Sequence, residues 1–232
     1  MKKLLTIIAL YCSLSLLNAQ KSELHLDIGA SKMRVNMFNF IDYDGYLYSR
    51  YSPMISLKYQ YIFKNHLGTY IDISYSNHHI DTKRYYDFFN MEILDGYSPI
   101  QSYASTLGLI YRFNIFNKLS FDMNIGIGYN FMDRYNFEIN NPRNTFNIDN
   151  LYSFTALKSY GWVSKSNFNF NYMIYKSNIH LKAGYQVATF YQKLLKSIGV
   201  IDINFNRTEK FLVRNRVDYI FNNFYLGLFV KL

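Results

Sequence analysis

From residue 119 to residue 131 the chain alternates with a period of two. Leu119, Phe121, Met123, Ile125, Ile127, Tyr129 and Phe131 fall on one face; Ser120, Asp122, Asn124, Gly126, Gly128 and Asn130 fall on the other. A helix would mix the two sets within two turns, whereas a strand keeps them apart. The same pattern recurs at Leu24–Ala30, Ile55–Phe63, Leu67–Tyr75, Tyr103–Phe113, Phe168–Ile174, Ile179–Val187, Phe211–Phe221 and Phe224–Leu232. Short connections at 64–66, 116–118 and 175–178 alternate with long polar ones at about 32–53, 77–101 and 132–159. Alternation resumes at Met33, Val35 and Met37 after a phase slip near Ser31, which predicts a bulge there.

Alternation alone does not say whether the apolar face points inward, as in a soluble barrel, or outward to lipid. Three features favour lipid. The polar face is rich in Gly, Ser, Asn and Gln with isolated charges, which suits a crowded lumen better than a solvated exterior. Short turns at one end and long loops at the other reproduce the asymmetry of outer-membrane barrels. Tyr and Phe gather near strand ends, where rings with one polar tip favour the water–lipid boundary. The predicted fold is all-β: one antiparallel up-and-down transmembrane barrel with short periplasmic turns and long outer loops. Ten strands are expected, with Val200–Asn206, Lys210–Phe221 and Phe224–Leu232 as the last three and a tight outer turn at Asn222-Asn223. Eight is the alternative, with the tail running past Asn222-Asn223 as one bulged strand.

Composition narrows the classes further. Of the 232 residues, 24 are Tyr, 20 are Phe and one is Trp, so the chain can bury too much surface to be disordered. Beyond the N-terminus no apolar run is long enough for a helical span. Met1-Lys2-Lys3, the apolar stretch Leu4–Leu17 and Leu17-Asn18-Ala19 read as a secretory signal peptide covering residues 1–19, leaving 20–232 as the barrel domain. Lipidation at Cys12 is disfavoured by Tyr11 before it. The chain's single cysteine then leaves with the leader, and with it disulfides and thiol ligands. The net charge of +9 is scattered along the chain, which fits a membrane surface better than nucleic acid.

These strands, with Phe224-Tyr225-Leu226-Gly227-Leu228-Phe229-Val230-Lys231-Leu232 as the terminal one, resemble the small outer-membrane β-barrel families, the OmpA-, OmpX- and PorT-like outer membrane protein beta-barrel domains. The resemblance implies residence in the cell outer membrane of a Gram-negative envelope, insertion by the barrel-assembly machinery, and contact with membrane lipids and lipopolysaccharide. The PorT-like likeness further implies an envelope partner in secretion or assembly. The usual last residue of the assembly signal is aromatic; here it is Leu232.

Asp27, Lys58, Asp72, Arg112, Asp122, His180, Lys182, Asp202, Arg214, Arg216 and Asp218 fall on the lumen side of this reading. Both signs in a narrow space predict a salt-bridged interior with no wide channel. Chemistry has little to work with. No histidine is followed two residues later by Ser, as the lipid hydrolases of barrel type would have it, although a Ser distant in sequence could approach one. Asp42-Tyr43-Asp44 and His79-Ile80-Asp81 hold the residue types of an omptin-like protease, in reversed His–Asp order. His78, His79 and Asp81 crowd within four residues, a poor geometry for zinc. Lys83-Arg84-Tyr85-Tyr86 mixes cations and rings at the outer rim, suited to lipid phosphates. The expectation is a non-enzymatic, structural or surface-binding barrel with no catalytic, cofactor or metal residues. A hydrolase, a narrow porin and a secretion accessory are its rivals.

Overall fold

In a computed structural model of the chain, the residues described are 22–36, 46–63, 66–79, 81, 92–93, 99–133, 135–141, 150–156, 159–174, 178–202 and 207–232. Cys12, the leader, Asp42, Asp44 and Lys83–Tyr86 lie outside them. The strands are β1 (Ser22–Asn36), β2 (Tyr46–Tyr48), β3 (Ser52–Ile62), β4 (Leu67–His78), β5 (Glu92–Ile93), β6 (Ile100–Phe116), β7 (Leu119–Met132), β8 (Tyr135–Asn141), β9 (Asn150–Ala156), β10 (Ser159–Met173), β11 (Ile179–Asp202) and β12 (Arg207–Lys231). Eight of them close a ring in the order β1-β3-β4-β6-β7-β10-β11-β12, every neighbour antiparallel. The seam is β1 on β12, where Leu232 N–H donates to Ser22 O at 2.9 Å. Beyond the ring, β11 carries β9, β9 carries β8 and β8 carries β5, so that the long-loop end extends as a sheet.

The expected ten strands are therefore corrected to eight. β11 runs unbroken through Val200, and β12 runs unbroken through Asn222-Asn223, where the tight outer turn was expected. Nor is β12 bulged there: Asn223 pairs Ser31 and Gln186, and Asn222 pairs Lys32 and Val187, residue for residue. The bulge expected near Ser31 is absent for the same reason. The register shift that the barrel does contain lies at Asn114–Phe116, next to the Asn117-Lys118 turn.

One cause explains both misread positions. Ser31 and Asn223 are partners, and so are Met33 and Phe221. Below this row β1 and β12 turn apolar residues outward (Ile28, Leu226, Phe224) and, Tyr225 and Phe229 apart, polar ones inward (Asp27, Asn223). Above it Met33, Phe221 and Tyr219 turn inward and are fully buried, while Lys32 and Asn222 take the outward positions. Both faces exchange character at one height, so an unbroken strand crossing that height reads as a phase slip. The expectation that Tyr219 and Phe221 share the lipid-facing side is corrected with it.

The outward row elsewhere is as expected. Ile125, Ile127, Leu107, Leu109, Ile73 and Leu226 are exposed, Leu226 by 71%. Aromatic residues bound this aliphatic band at both ends. Tyr75, Tyr103, Phe131 and Tyr160 follow one another at 4.9, 5.9 and 5.3 Å between ring centroids on the long-loop side. Tyr111, Phe113, Phe121 and Phe170 follow at 4.5, 6.2 and 4.9 Å on the short-turn side. From Tyr103 to Phe113 the strand rises about 33 Å, or about 25 Å along the membrane normal at a tilt of about 40°. That matches the apolar height of an outer-membrane barrel. Exposing such a band to water would be prohibitive; facing hydrocarbon, it carries no penalty.

Candidate functional site

The chemistry-bearing side chains lie inside the ring. Glu23, Asp27, Asp72 and Asp122 are buried together with Lys58, Arg112, Lys165 and Lys182, four carboxylates against four cations among the described residues. The inward positions of eight strands enclose a space that side chains can fill, so charges placed there must find each other.

Arg112, on β6, is the hub of the short-turn end. Its Nε donates to Asp122 at 2.7 Å, its Nη1 to Glu23 at 2.6 Å, and its Nη2 to both carboxylates at 2.8 Å. Asp122 is its register partner on β7, but Glu23 stands on β1, so this bond crosses the lumen. Glu23 also accepts from Gln60 and lies 3.2 Å from His25 Nε2. His25 Nδ1 is 3.3 Å from Lys182 Nζ, which donates to Asp27 at 2.6 Å. The chain Asp122–Arg112–Glu23–His25–Lys182–Asp27 is continuous. Phe229 is wedged into it, stacked between His25 (4.4 Å, 19°) and His180 (4.4 Å, 11°).

A second cluster centres on Asp72. It accepts from Lys165 at 2.7 Å, from Ser56, and from Thr106 at 3.4 Å. Lys165 on β10 faces Asp72 on β4, so it too reaches across the lumen, and it donates to Ser74 at 2.7 Å as well. Lys58 has no ion-pair partner among the described residues. Asn124, its amide oxygen turned inward, accepts from it at 3.3 Å, and its ammonium lies 5.2 Å from the Tyr70 ring. Further toward the loops come amide links: Gln186 to Asn167 at 2.7 Å, Asn223 to Gln186 at 2.5 Å, Ser102 to Asn130 at 3.1 Å. Above them the inner face turns apolar, with Met33, Met54, Ile100, Met132, Val163, Ala188, Phe190 and Phe221 buried.

Of the expected lumen set, Asp27, Lys58, Asp72, Arg112, Asp122, His180 and Lys182 are all inside. The side chains of Asp202, Arg214, Arg216 and Asp218 lie outside the described residues. Sequence reasoning missed Glu23, His25 and Lys165 as network members. His25 falls inside the alternation read at Leu24–Ala30, Glu23 comes two positions before it, and Lys165 comes two positions before Asn167 on the same face.

The loop candidates fare differently. His78 is fully buried against Phe221 at 4.7 Å, whereas its neighbour His79 is exposed, its backbone N–H donating to Ser52 Oγ at 3.3 Å. The two imidazoles face opposite sides, and among the described residues no three His, Cys, Asp or Glu side chains gather as a metal site. A distant serine does approach a histidine. Ser49 Oγ is 3.4 Å from His78 Nδ1, and Ser76 Oγ is 2.9 Å from His78 Nε2. That is the order of nucleophile, base and orienting group. But Ser49 and His78 are both fully buried, and Ser49 Oγ already accepts the Met33 backbone N–H at 2.7 Å. The trio pins the β2–β3 connection over the outer end of the lumen.

No family model matches the sequence, and no curated protein matches it. Among solved structures the chain is similar to Neisserial surface protein A (NspA), with 13% identity over 91% of this chain and 97% of that one and a TM-score of 0.47. It is also similar to a major outer membrane protein from Thermus thermophilus, with 10% identity over 91% and 99% and a TM-score of 0.48. Ail, the attachment invasion locus protein of Yersinia pestis, is a third, with 15% identity over 92% and 100% and a TM-score of 0.45. The closed ring of eight strands, the lipid-matched outer band and the polar interior are on their own the construction of an integral outer-membrane β-barrel.

Proposed function

We propose that the mature chain, from Gln20 onward after removal of residues 1–19, is a non-enzymatic outer-membrane barrel whose lumen is closed to solutes and whose role is exercised at its outer rim, as a structural or surface-binding component. What carries this reading is the transverse bonding of the interior. Arg112–Glu23 and Lys165–Asp72 span the lumen, and a solute could pass only by parting ion pairs away from bulk water. The apolar residues above them add a second, dewetted barrier. Among the described residues, equal numbers of buried cations and carboxylates favour ions of neither sign.

Planar-bilayer recording tests it. The purified barrel is expected to give no unitary conductance steps; reproducible open levels would replace the reading with a narrow pore. Among the described residues an ester-cleaving activity would start from Ser49 beside His78, and the complete burial of both opposes it. A secretion or assembly accessory would co-purify with an envelope complex after detergent extraction, whereas the proposed component emerges alone.

A further inference from the structure

The short-turn end of the ring holds a cavity of about 110 Å³. Arg112 and Phe229, 5.9 Å apart from guanidinium carbon to ring centroid, both line it. Arg112 belongs to β6, Lys118 to the turn after β6, His180 to β11 and Lys231 to β12, and all four line the same space. In the ring β6 and β12 stand on opposite walls, so donors meet this space from both sides. No Asp or Glu side chain among the described residues lines it. Glu23 and Asp122 take four of the five N–H groups of Arg112, which leaves one on Nη1. His180 points to a ligand independently. Its side chain is 5% exposed and stacked on Phe229 at 4.4 Å, yet its Nε2 has no hydrogen-bond partner among the described residues. A buried nitrogen held in place by its ring and left unbonded is unfavourable until something bonds it.

From this arrangement we infer that the cavity is a binding site for a small soluble phosphate, held by His180, Lys118, Lys231 and the remaining N–H of Arg112. Two ammonium groups, a guanidinium N–H and an imidazole, set on opposite walls, suit an oxyanion whose oxygens point in four directions. A planar carboxylate, with two oxygens on one side, engages fewer of them. The space is well below the about 300 Å³ of a pocket for a drug-sized ligand, which excludes a nucleotide or a glycan. It lies inside the ring, on the other side of the wall from the acyl chains, which sets a soluble phosphate above a lipid headgroup. Partly screened from water by the barrel wall, each charge there counts for more than in open solution. With the short turns on the periplasmic side the ligand comes from the periplasm. The site is separate from the outer rim and does not depend on a role there.

The test uses the full mature barrel refolded in octyl glucoside, a detergent without phosphate, and isothermal titration calorimetry with inorganic phosphate. Saturable binding of about one phosphate per barrel is expected, with acetate at equal ionic strength about tenfold weaker. Lys118→Ala combined with Lys231→Ala is expected to weaken phosphate about tenfold and His180→Ala about fivefold. Lys32→Ala, on β1 toward the long-loop end, is expected to leave it unchanged. Heat-modifiable gel migration shows which variants are folded, and Lys118→Ala alone, in a turn, carries the test if a strand variant fails to fold. Absence of saturable binding to the wild type overturns the site, and so does equal weakening by Lys32→Ala, which would mean diffuse charge attraction. Displacement of the bound phosphate by phosphatidylglycerol would make the ligand a lipid headgroup and overturn the assignment to a soluble one. A barrel that shifts on the gel, conducts no ions and ignores phosphate removes this site while leaving the closed outer-membrane barrel intact.

Discussion

Lys182 and Asp27 meet at 2.6 Å across a strand that separates them. Lys182 is on β11, Asp27 on β1, and both are register partners of Gly227 on the intervening β12. The ion pair exists because that position has no side chain: a Cβ on Gly227 would fall on the Asp27 carboxylate. Gly227→Val is expected to force Asp27 off Lys182 and destabilise the barrel by about 3–5 kcal/mol, the cost of breaking a buried pair. Reversible denaturant unfolding from lipid vesicles would measure it. Combining Gly227→Val with Asp27→Asn is expected to cost less than the sum of the two, because both remove one interaction.

The two lysines nearest Asp72 are not equivalent. Lys165 holds its carboxylate at 2.7 Å, whereas Lys58 rests on Asn124 and the Tyr70 ring. Lys165→Met strands Asp72 as a buried anion and is expected to cost about 3–5 kcal/mol. Lys58→Met removes a buried cation that faces Asp72 in register but makes no direct ion pair with it, and is expected to cost less than Lys165→Met, by about 1 kcal/mol or more. Equal losses in the same unfolding assay would show that Lys58 is the true partner of Asp72.

On the outer face the depth of a charge decides its cost. Leu109 lies near the middle of the aliphatic band, while Tyr103 is in the aromatic row at its outer edge. Leu109→Arg is expected to destabilise by about 2–4 kcal/mol and Tyr103→Arg by no more than about 1 kcal/mol beyond the lost ring contacts. Similar penalties at both sites, measured by equilibrium folding into vesicles, would mean that the band is misplaced.

The strand number can be checked by crosslinking. Ser31 and Asn223 are paired on β1 and β12 with both side chains buried inside. Residues 20–232 contain no cysteine. Ser31→Cys with Asn223→Cys is expected to form a disulfide on mild oxidation, since antiparallel partners bring their Cα atoms within bridging range. Ser31→Cys with Asn222→Cys, which face opposite sides, is the control that should not. A tight turn at Asn222-Asn223 would leave both pairs unlinked.

Strand identity was legible because period two is a local property, whereas the direction of the apolar face came from the make-up of the polar face, the loop rhythm and the rings at strand ends. The seven positions from Leu119 to Phe131 commit β7 without any knowledge of its neighbours. The tail was illegible because alternation carries no information about height. In β12 the inner face passes from Asn223 to Phe221 as the outer face passes from Phe224 to Asn222. A reader assuming one fixed apolar face sees two strands and a turn. The network was half legible for a related reason. Parity assigns Arg112 and Asp122 to the lumen, but only closure of the ring brings Glu23 from β1 to Arg112 on β6. Nothing local could place Ser49 against His78, 29 residues away.

That closure has a price in time. The cylinder shuts only when Ser22 and Leu232, on the first and last strands of the ring, find each other. Until then β1 and β12 each present an unsatisfied ladder of backbone groups, which hydrocarbon cannot solvate. Such extreme contact order makes spontaneous insertion slow and leaves the half-built sheet vulnerable to pairing with another copy. The two loose margins stay reactive until the final hairpin arrives, so the last strand to be made is also the one that ends the hazard.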